Sequence, residues 1–264
     1  MCIRDSVGGG LSGLLAARKF AGTNYDVLLV EREDAFGGIL KNANKIKSIN
    51  DQPTDEWLEK TERLIRNSNN IKILKNTLVT TYNFSDHLIA LEDKNVGKPQ
   101  DNEKPELVLH KIRTKHTILA NGHIERFITF RNNDLPGVML AASFEKYLNR
   151  YSVVPDESPV IFTNNSSTFS LLKSLTDLGH KPKAYVDIRD QKNIEKQTLE
   201  LLEKFNIPFY PKSEVEGCEG QKEVKKVSIR TKKNKISKIK TSMLCVSGGF
   251  NPDIHLFTCL LYTS

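Results

Sequence analysis

Residues 7–31 read VGGGLSGLLAARKFAGTNYDVLLVE, and the order of their features decides the fold. Gly8, Gly10 and Gly13 stand in G-x-G-x-x-G spacing. Glycines at those offsets let a chain turn tightly, bring backbone N–H groups against a pyrophosphate and pack the next helix closely on a sheet. Leu14 to Ala21 carries that helix, whose N-terminal dipole favours phosphate charge. Asp26 to Val30 has the apolar run of a buried parallel strand. Glu31 closes it, 18 residues after Gly13, near the place where a carboxylate takes the hydroxyls of an adenine ribose. An acid there disfavours a 2′-phosphate, so NAD is the expected cofactor, with FAD as the alternative, while Arg32 beside it weakens the discrimination against NADP. Gly37 and Gly38 follow, a flexible pair where such folds bring a loop over the cofactor.

Composition narrows the remaining classes. The chain has 264 residues, 38% of them hydrophobic and 27% charged, enough for one large domain or two ordinary ones. No run approaches the ~20 apolar residues of a membrane span, so membrane insertion is not expected. The formal charge is +7, densest at Lys225 to Lys240. There the basic residues alternate loosely with Val, Ile and Ser, as on the solvated face of antiparallel strands, and no interleaved aromatics point to nucleic acid. Met1 to Ser6 and Cys259 to Ser264 look like sequence foreign to the fold, resembling translated adapter read-through. Arg4, Asp5 and Ser6 stand where a central strand should be hydrophobic, so that strand is expected to be missing. Cys218 and Cys245 are then the remaining cysteines; well separated and without a C-x-x-C, they suggest reduced thiols in a cytoplasmic protein.

Further along, the opening pattern recurs. Thr54 to Asn67 reads as a helix, with Asp51 or Thr54 as its cap. Ile71 to Glu92 reads as two or three strands, Gly97 to Lys104 as a solvated loop, and Leu107 to Ile112 as a hairpin arm. Lys115 to Leu119 is a buried strand running into Gly122, where an open α/β sheet places ligands and where close approach to the dinucleotide is expected. His123 beside it, lacking a paired acid, reads as structural. After the helix Ala141 to Tyr151, with Phe144, Tyr147 and Leu148 at helical spacing, comes a second βαβ unit. It consists of Val160 to Thr163, the turn Asn164 to Ser167, the helix Thr168 to Leu178 stopped by Gly179, and Ala184 to Ile188. Asparagine and serine replace the glycines there, so close phosphate approach is less assured. Ile194 to Phe205 is a further helix, Val224 to Ile239 a hairpin, and Ser242 to Ser247 a last strand ending at Gly248.

Each half therefore runs βαβ, helix, antiparallel arm, then a strand ending in glycine. The fold class is α/β: two Rossmann-like dinucleotide-binding domains of the FAD/NAD(P)-binding, glutathione/thioredoxin reductase-like type, truncated at both ends. The first domain spans 7–155 and the second, inserted one 156–258.

Two segments carry a more specific likeness. ILANGHIERFITFRNNDLPGVMLAASFEKYLNRYSVVPDESPVIFTNN, residues 118–165, resembles a stretch built on ATGAIERP, NNDRPGVM, YLNRYGV and VFTNN. CVSGGFNPDIHL, residues 245–256, resembles VSGGWNP-x-x-HL. Both belong to alpha subunits of heterotetrameric sarcosine oxidases and to the related opine oxidase and hydrogen cyanide synthase subunits. Asn121 and Phe127 depart from that pattern, where Thr and Pro are usual. The resemblance implies an NAD-containing dinucleotide domain. It also implies that a flavin-carrying beta subunit and smaller subunits of a hetero-oligomer supply or share the amine-oxidising site. Sarcosine or a related secondary amine would be the substrate, its methyl carbon leaving as formaldehyde or passing to folate. In the chain itself, Gly8, Gly10 and Gly13 would hold pyrophosphate, Glu31 with Arg32 the ribose end, Gly38 the covering loop and Gly122 the nicotinamide or flavin side. No catalytic residue or metal ligand is assigned. The rival readings are a free-standing NAD(P)H-dependent flavin oxidoreductase and a structural NAD module without turnover. With its first strand and its returning segment both missing, the chain is expected to bind dinucleotide poorly alone.

Overall fold

The computed structural model describes residues 3–42, 48–83, 87–96, 106–154 and 158–258. The solvated loop expected at Gly97 to Lys104 and the closing Cys259 to Ser264 lie outside these residues. The chain forms two compact units, one of Met1–Leu40, Ile46–His123 and Pro252–Ser264, the other of Lys41–Lys45 and Ile124–Asn251.

The first unit begins with β1 (Ile3–Val7), α1 (Leu11–Phe20) and β2 (Asp26–Val30), followed by α2 (Ile39–Asn42), the short pair β3 (Ser48–Ile49) and β4 (Gln52–Pro53), and α3 (Thr54–Arg66). It continues with β5 (Ile71–Leu74), an arm of β6 (Thr77–Asn83), β7 (His87–Asp93) and β8 (Leu107–Arg113), and β9 (His116–Leu119). A parallel sheet of order β5-β2-β1-β9 forms its middle layer. The strand expected to be missing is thus formed, with Val7 opposite both Val30 and Leu119. Parallel pairing is made by backbone amides and carbonyls, and a strand on each side satisfies those groups whatever side chains they carry. That outweighs the poor strand preference of Arg, Asp and Ser.

Alternation along β2 sets the layers. Val27 and Leu29 pack with Leu14 and Ala17 of α1 and Trp57, Leu58 and Ile65 of α3. Leu28 and Val30 face the other way, toward Val79, Leu88, Ala90 and Ile112 of the antiparallel arm. A period of 2 in the strand thereby meets a period of 3.6 in the helices. α3 is capped at Pro53 without a side-chain bond, so neither Asp51 nor Thr54 is its cap. Proline's fixed φ pre-sets the entry, and Asp55 and Glu56 in the first turn answer the dipole.

β10 (His123–Glu125) leads into the second unit, which contains β11 (Val138–Leu140), α4 (Ala141–Tyr151), β12 (Val160–Thr163), α5 (Phe169–Asp177) and β13 (Ala184–Asp187). Next come α6 (Lys196–Lys204), β14 (Phe209–Pro211), an arm of β15 (Glu214–Glu219), β16 (Lys226–Arg230) and β17 (Ile236–Lys240), and finally β18 (Leu244–Ser247) and β19 (Phe250–Pro252). The same three layers recur. In the parallel sheet β11-β18-β12-β13-β14, Ile161, Tyr185 and Cys245 face the helices, while Val160, Phe162, Val186 and Val246 face the arm. The arm has three strands where the sequence suggested a hairpin, because β15 carries its buried positions irregularly around a bulge at Val215 to Gly217. Tyr147 is half exposed, unlike Phe144 and Leu148, which are buried.

Beyond Asn251 the chain rejoins the first unit. α7 (His255–Thr258) packs on β6, and Leu256 is buried with Val79 and Leu88. Residues 252–258 thus belong to the first unit. Among the described residues, no helix is long and apolar enough to cross a membrane.

Candidate functional site: a glycine cradle and its filled counterpart

The three glycines of the first turn do three different things. Gly8 has φ +105°, and a Cβ there would lie 2.3 Å from Ala120 O at the tip of β9. Gly13 brings α1 onto the loop so closely that a Cβ would lie 1.7 Å from Gly8 O. Around Gly10 nothing stands within 4 Å of an added Cβ, so this position opens outward. Gly10 is also the cap of α1, without a side-chain bond or an acid in the first turn, so the helix's first N–H groups face that opening. Two glycines are thus spent on packing and one on access, the combination a pyrophosphate requires.

Glu31 is buried at the end of β2. Its Oε2 accepts the N–H of Gly9 at 2.5 Å and its Oε1 accepts that of Glu33 at 2.7 Å. Two of the carboxylate's roughly four acceptor directions are therefore used in holding the loop, and two are left for hydroxyls. Gly9, which motif spacing passes over, is as constrained as its neighbours: a Cβ there would meet the buried Phe36 ring at 2.4 Å and Glu31 Oε2 at 2.8 Å. The run of three consecutive glycines was the available signal. Arg32 is exposed and only loosely paired with Glu33, at 3.9 Å.

The Gly37–Gly38 loop is tied to the same place. Gly37 N donates to Gly9 O at 2.9 Å, and a Cβ on Gly38, at φ +52°, would approach Gly10 Cα at 3.4 Å. At the β9 end, Gly122 has φ +83° with open space around it, and its carbonyl accepts Asp253 N at 3.0 Å. Asn121 donates to Asp253 O at 3.4 Å, while its Oδ1 is buried without a partner. Residues Gly8, Gly10, Gly13, Glu31 and Gly38 are thus brought together, Gly122 lies on the strand tip next to the one under Gly8, and Arg32 points away into solvent. A cradle with an open central glycine and a carboxylate having free acceptor capacity fits a dinucleotide.

The second unit handles the same topology differently. In the turn after β12, Asn165 donates to Ser247 O at 3.0 Å and accepts Ser167 N at 2.8 Å, while the Ser167 and Ser247 hydroxyls lie 3.0 Å apart. Ser166 sits between Arg189 Nη1, at 2.9 Å, and the Glu195 carboxylate. Asp187, at the end of β13 as Glu31 is at the end of β2, is fully buried and held by the guanidinium of Arg189 at 2.9 and 3.1 Å and by its backbone N–H at 2.8 Å. The hydrogen bond from Arg189 to Asp187 raises the Arg189 pKa above its ordinary value. The chain's own side chains fill the turn after β12 and bond the acid at the end of β13, the places equivalent to Gly10 and Glu31 in the first unit.

Neither of the described thiols, Cys218 and Cys245, takes part in either site. Burial pushes Cys218 up to about 11 and Cys245 further still, so neither is a nucleophile near neutral pH. Among the described residues no group of three or more His, Cys, Asp or Glu side chains could hold a metal.

Comparison with known proteins agrees with this geometry. Residues 7–54 match the family of NAD(P)-binding Rossmann-like domains. Over 261 residues the chain is 30% identical to sarcosine oxidase subunit alpha of Corynebacterium sp. (strain U-96), covering 95% of this chain and 26% of that protein. The subunit of the same name from Rhizobium meliloti (strain 1021) is 29% identical over 252 residues, covering 95% and 24%. The resemblance carried by residues 118–165 and 245–256 is borne out. The chain spans about a quarter of the length of these curated relatives. The thioredoxin reductase of Lactococcus lactis matches with a TM-score of 0.71 at 16% identity, over 98% of this chain and 80% of that one, which shows the fold.

Proposed function

We propose that this chain is the dinucleotide-holding part of an amine-oxidising flavoprotein oxidoreductase, binding one NAD, or alternatively FAD, per chain in the first unit. Gly8, Gly10 and Gly13 take the pyrophosphate, Glu31 the adenosine ribose, the Gly37–Gly38 loop covers it, and Gly122 lies on the nicotinamide or flavin side. The observation that carries this reading is the contrast at Gly10 and Ser166. The first position is open above a helix N-terminus, and the second is filled by a hydroxyl bonded to Arg189 and Glu195.

Sarcosine or a related secondary amine is the proposed substrate, oxidised on a flavin-carrying beta subunit within a cytoplasmic hetero-oligomer that includes smaller subunits. Support for this comes from the sarcosine oxidase relatives. The buried thiols favour a cofactor-holding role over disulfide chemistry in this chain.

The test is the amount and identity of dinucleotide bound. One NAD or FAD per chain, counted apart from any flavin of the beta subunit, is expected by mass spectrometry of the subunit that contains this chain after it is separated from the assembly. Gly10→Val, whose Cβ would have no protein atom within 4 Å, is expected to leave the fold intact and lower affinity at least tenfold. Two dinucleotides per chain, or undiminished binding in Gly10→Val, would overturn the proposal.

A further inference from the structure

A second polar site lies in the first unit, away from the glycine loop. α3 presents Trp57, Lys60, Thr61 and Leu64 along one stripe, the spacing at which helical residues share a face. With Arg18 of α1 and Gln52 of β4 they line a cavity of about 120 Å³. Trp57 and Thr61 are 1% and 2% exposed, yet the indole N–H and the threonine hydroxyl both have no hydrogen-bond partner. Buried polar groups are nearly always satisfied, because leaving one unpaired costs about 1–3 kcal/mol. Two such groups lining one small cavity mark a place made for something else.

The lining fixes the chemistry of the occupant. The indole N–H can only donate, and Arg18 and Lys60 are cations. Among the described residues Arg18 has no ion pair, and Lys60 has only an exposed contact of 3.5 Å to Glu56. No carboxylate lines the cavity. The occupant must therefore accept hydrogen bonds and carry negative charge. Leu64 and the indole face add an apolar wall, and the cavity is far below the ~300–1,000 Å³ of nucleotide-sized sites. Arg18 lies eight residues along α1 from Gly10, about 12 Å at helical rise, so this is not the phosphate end of the cradle.

We infer that the cavity between α1 and α3 is a binding site for a small monocarboxylate, with Trp57 N–H and Thr61 O–H on its oxygens, Arg18 as counter-charge and Leu64 against its short alkyl tail. Trp57 is the single tryptophan of the chain, so its fluorescence reports on this site and no other. Titrating the protein with sodium propionate at constant ionic strength is expected to give a saturable change in emission. Propionamide, the same shape without the charge, is expected to give none. Arg18→Gln, a surface substitution, should weaken propionate at least fivefold, and Thr61→Val, nearly isosteric, at least threefold. The inference fails if propionate gives no saturable change, if propionamide matches it, or if Arg18→Gln leaves the titration unaltered. Equal or tighter saturation by inorganic phosphate would also overturn the carboxylate assignment.

Discussion

The two βαβ turns occupy equivalent places in two copies of one three-layer plan, and they have opposite interiors. Counting from the ends of β1 and β12, Gly8 corresponds to Asn164, Gly10 to Ser166 and Gly13 to Phe169. In the first turn the backbone comes together and the side chains are absent, leaving room for a ligand. In the second the helix begins two residues later, and amides, hydroxyls and an ion pair supply internally the bonds a ligand would make. Topology alone therefore does not make a dinucleotide site. What sets the first turn apart is the lack of atoms at three positions and a carboxylate with acceptors to spare.

The strongest way to break the contrast is to put atoms back. Gly13→Val would drive a side chain into Gly8 O, a backbone atom that cannot step aside. A loss of about 3 kcal/mol or more is expected in urea unfolding, together with loss of NAD binding, since overpacking of this kind costs at least that of a tight core. Binding with wild-type affinity would show that the close helix approach is dispensable.

A smaller effect is expected from opening the filled turn. Arg189→Ala leaves Asp187 buried and unpaired, at a cost of about 3 kcal/mol or slightly less because Arg189 keeps some solvent access. Arg189→Ala with Asp187→Asn should recover part of it. Neither variant is expected to raise the bound dinucleotide from one to two per chain, and a second equivalent would mean that the ion pair alone had been blocking the site.

The smallest expected effect concerns Glu125, which differs from Glu31 in its surroundings. Its Oε2 accepts Ala142 N at 2.8 Å in the first turn of α4, and burial raises its pKa above the ordinary 4.5. Just above that value the folded state then holds more protons than the unfolded one, so stability falls as pH rises through the raised pKa. Glu125→Gln keeps an oxygen for Ala142 and removes the titration. Its stability curve should be flatter above pH 4.5 and equal to or slightly above wild type at pH 7. A steeper curve would reverse the sign assigned to burial.

How far these features could be read beforehand differs by residue. The convergence of Gly8, Gly10, Gly13 and Glu31 was legible because the glycines share one turn and Glu31 closes the strand that follows α1. Gly9 and Phe36 were not, since the clash that constrains Gly9 is with a ring 27 residues away. β1 was misread because side-chain hydrophobicity was taken as the test of a strand whose pairing is backbone on both edges. The second βαβ was legible as topology, but its occupancy depended on Arg189 and Glu195 reaching back to Ser166, contacts with no local periodicity. Asn121, seen only as a departure from a motif, leaves an orphaned acceptor at the tip of β9.

The burial of Leu256 against Val79 and Leu88 also sets an order of assembly. β6 is synthesised early, and its last apolar neighbour arrives only after Ile124–Asn251 has been made. Closing so long a loop carries an entropic cost that local contacts do not repay until the end. Apart from Lys41–Lys45 the second unit is one continuous segment, so it can complete its core on the ribosome while the first waits with part of its arm uncovered. The unit with the glycine cradle is thus the slower of the two to mature, and amides of β6 should be the last in the parallel-sheet layers and their arms to gain protection from exchange during refolding.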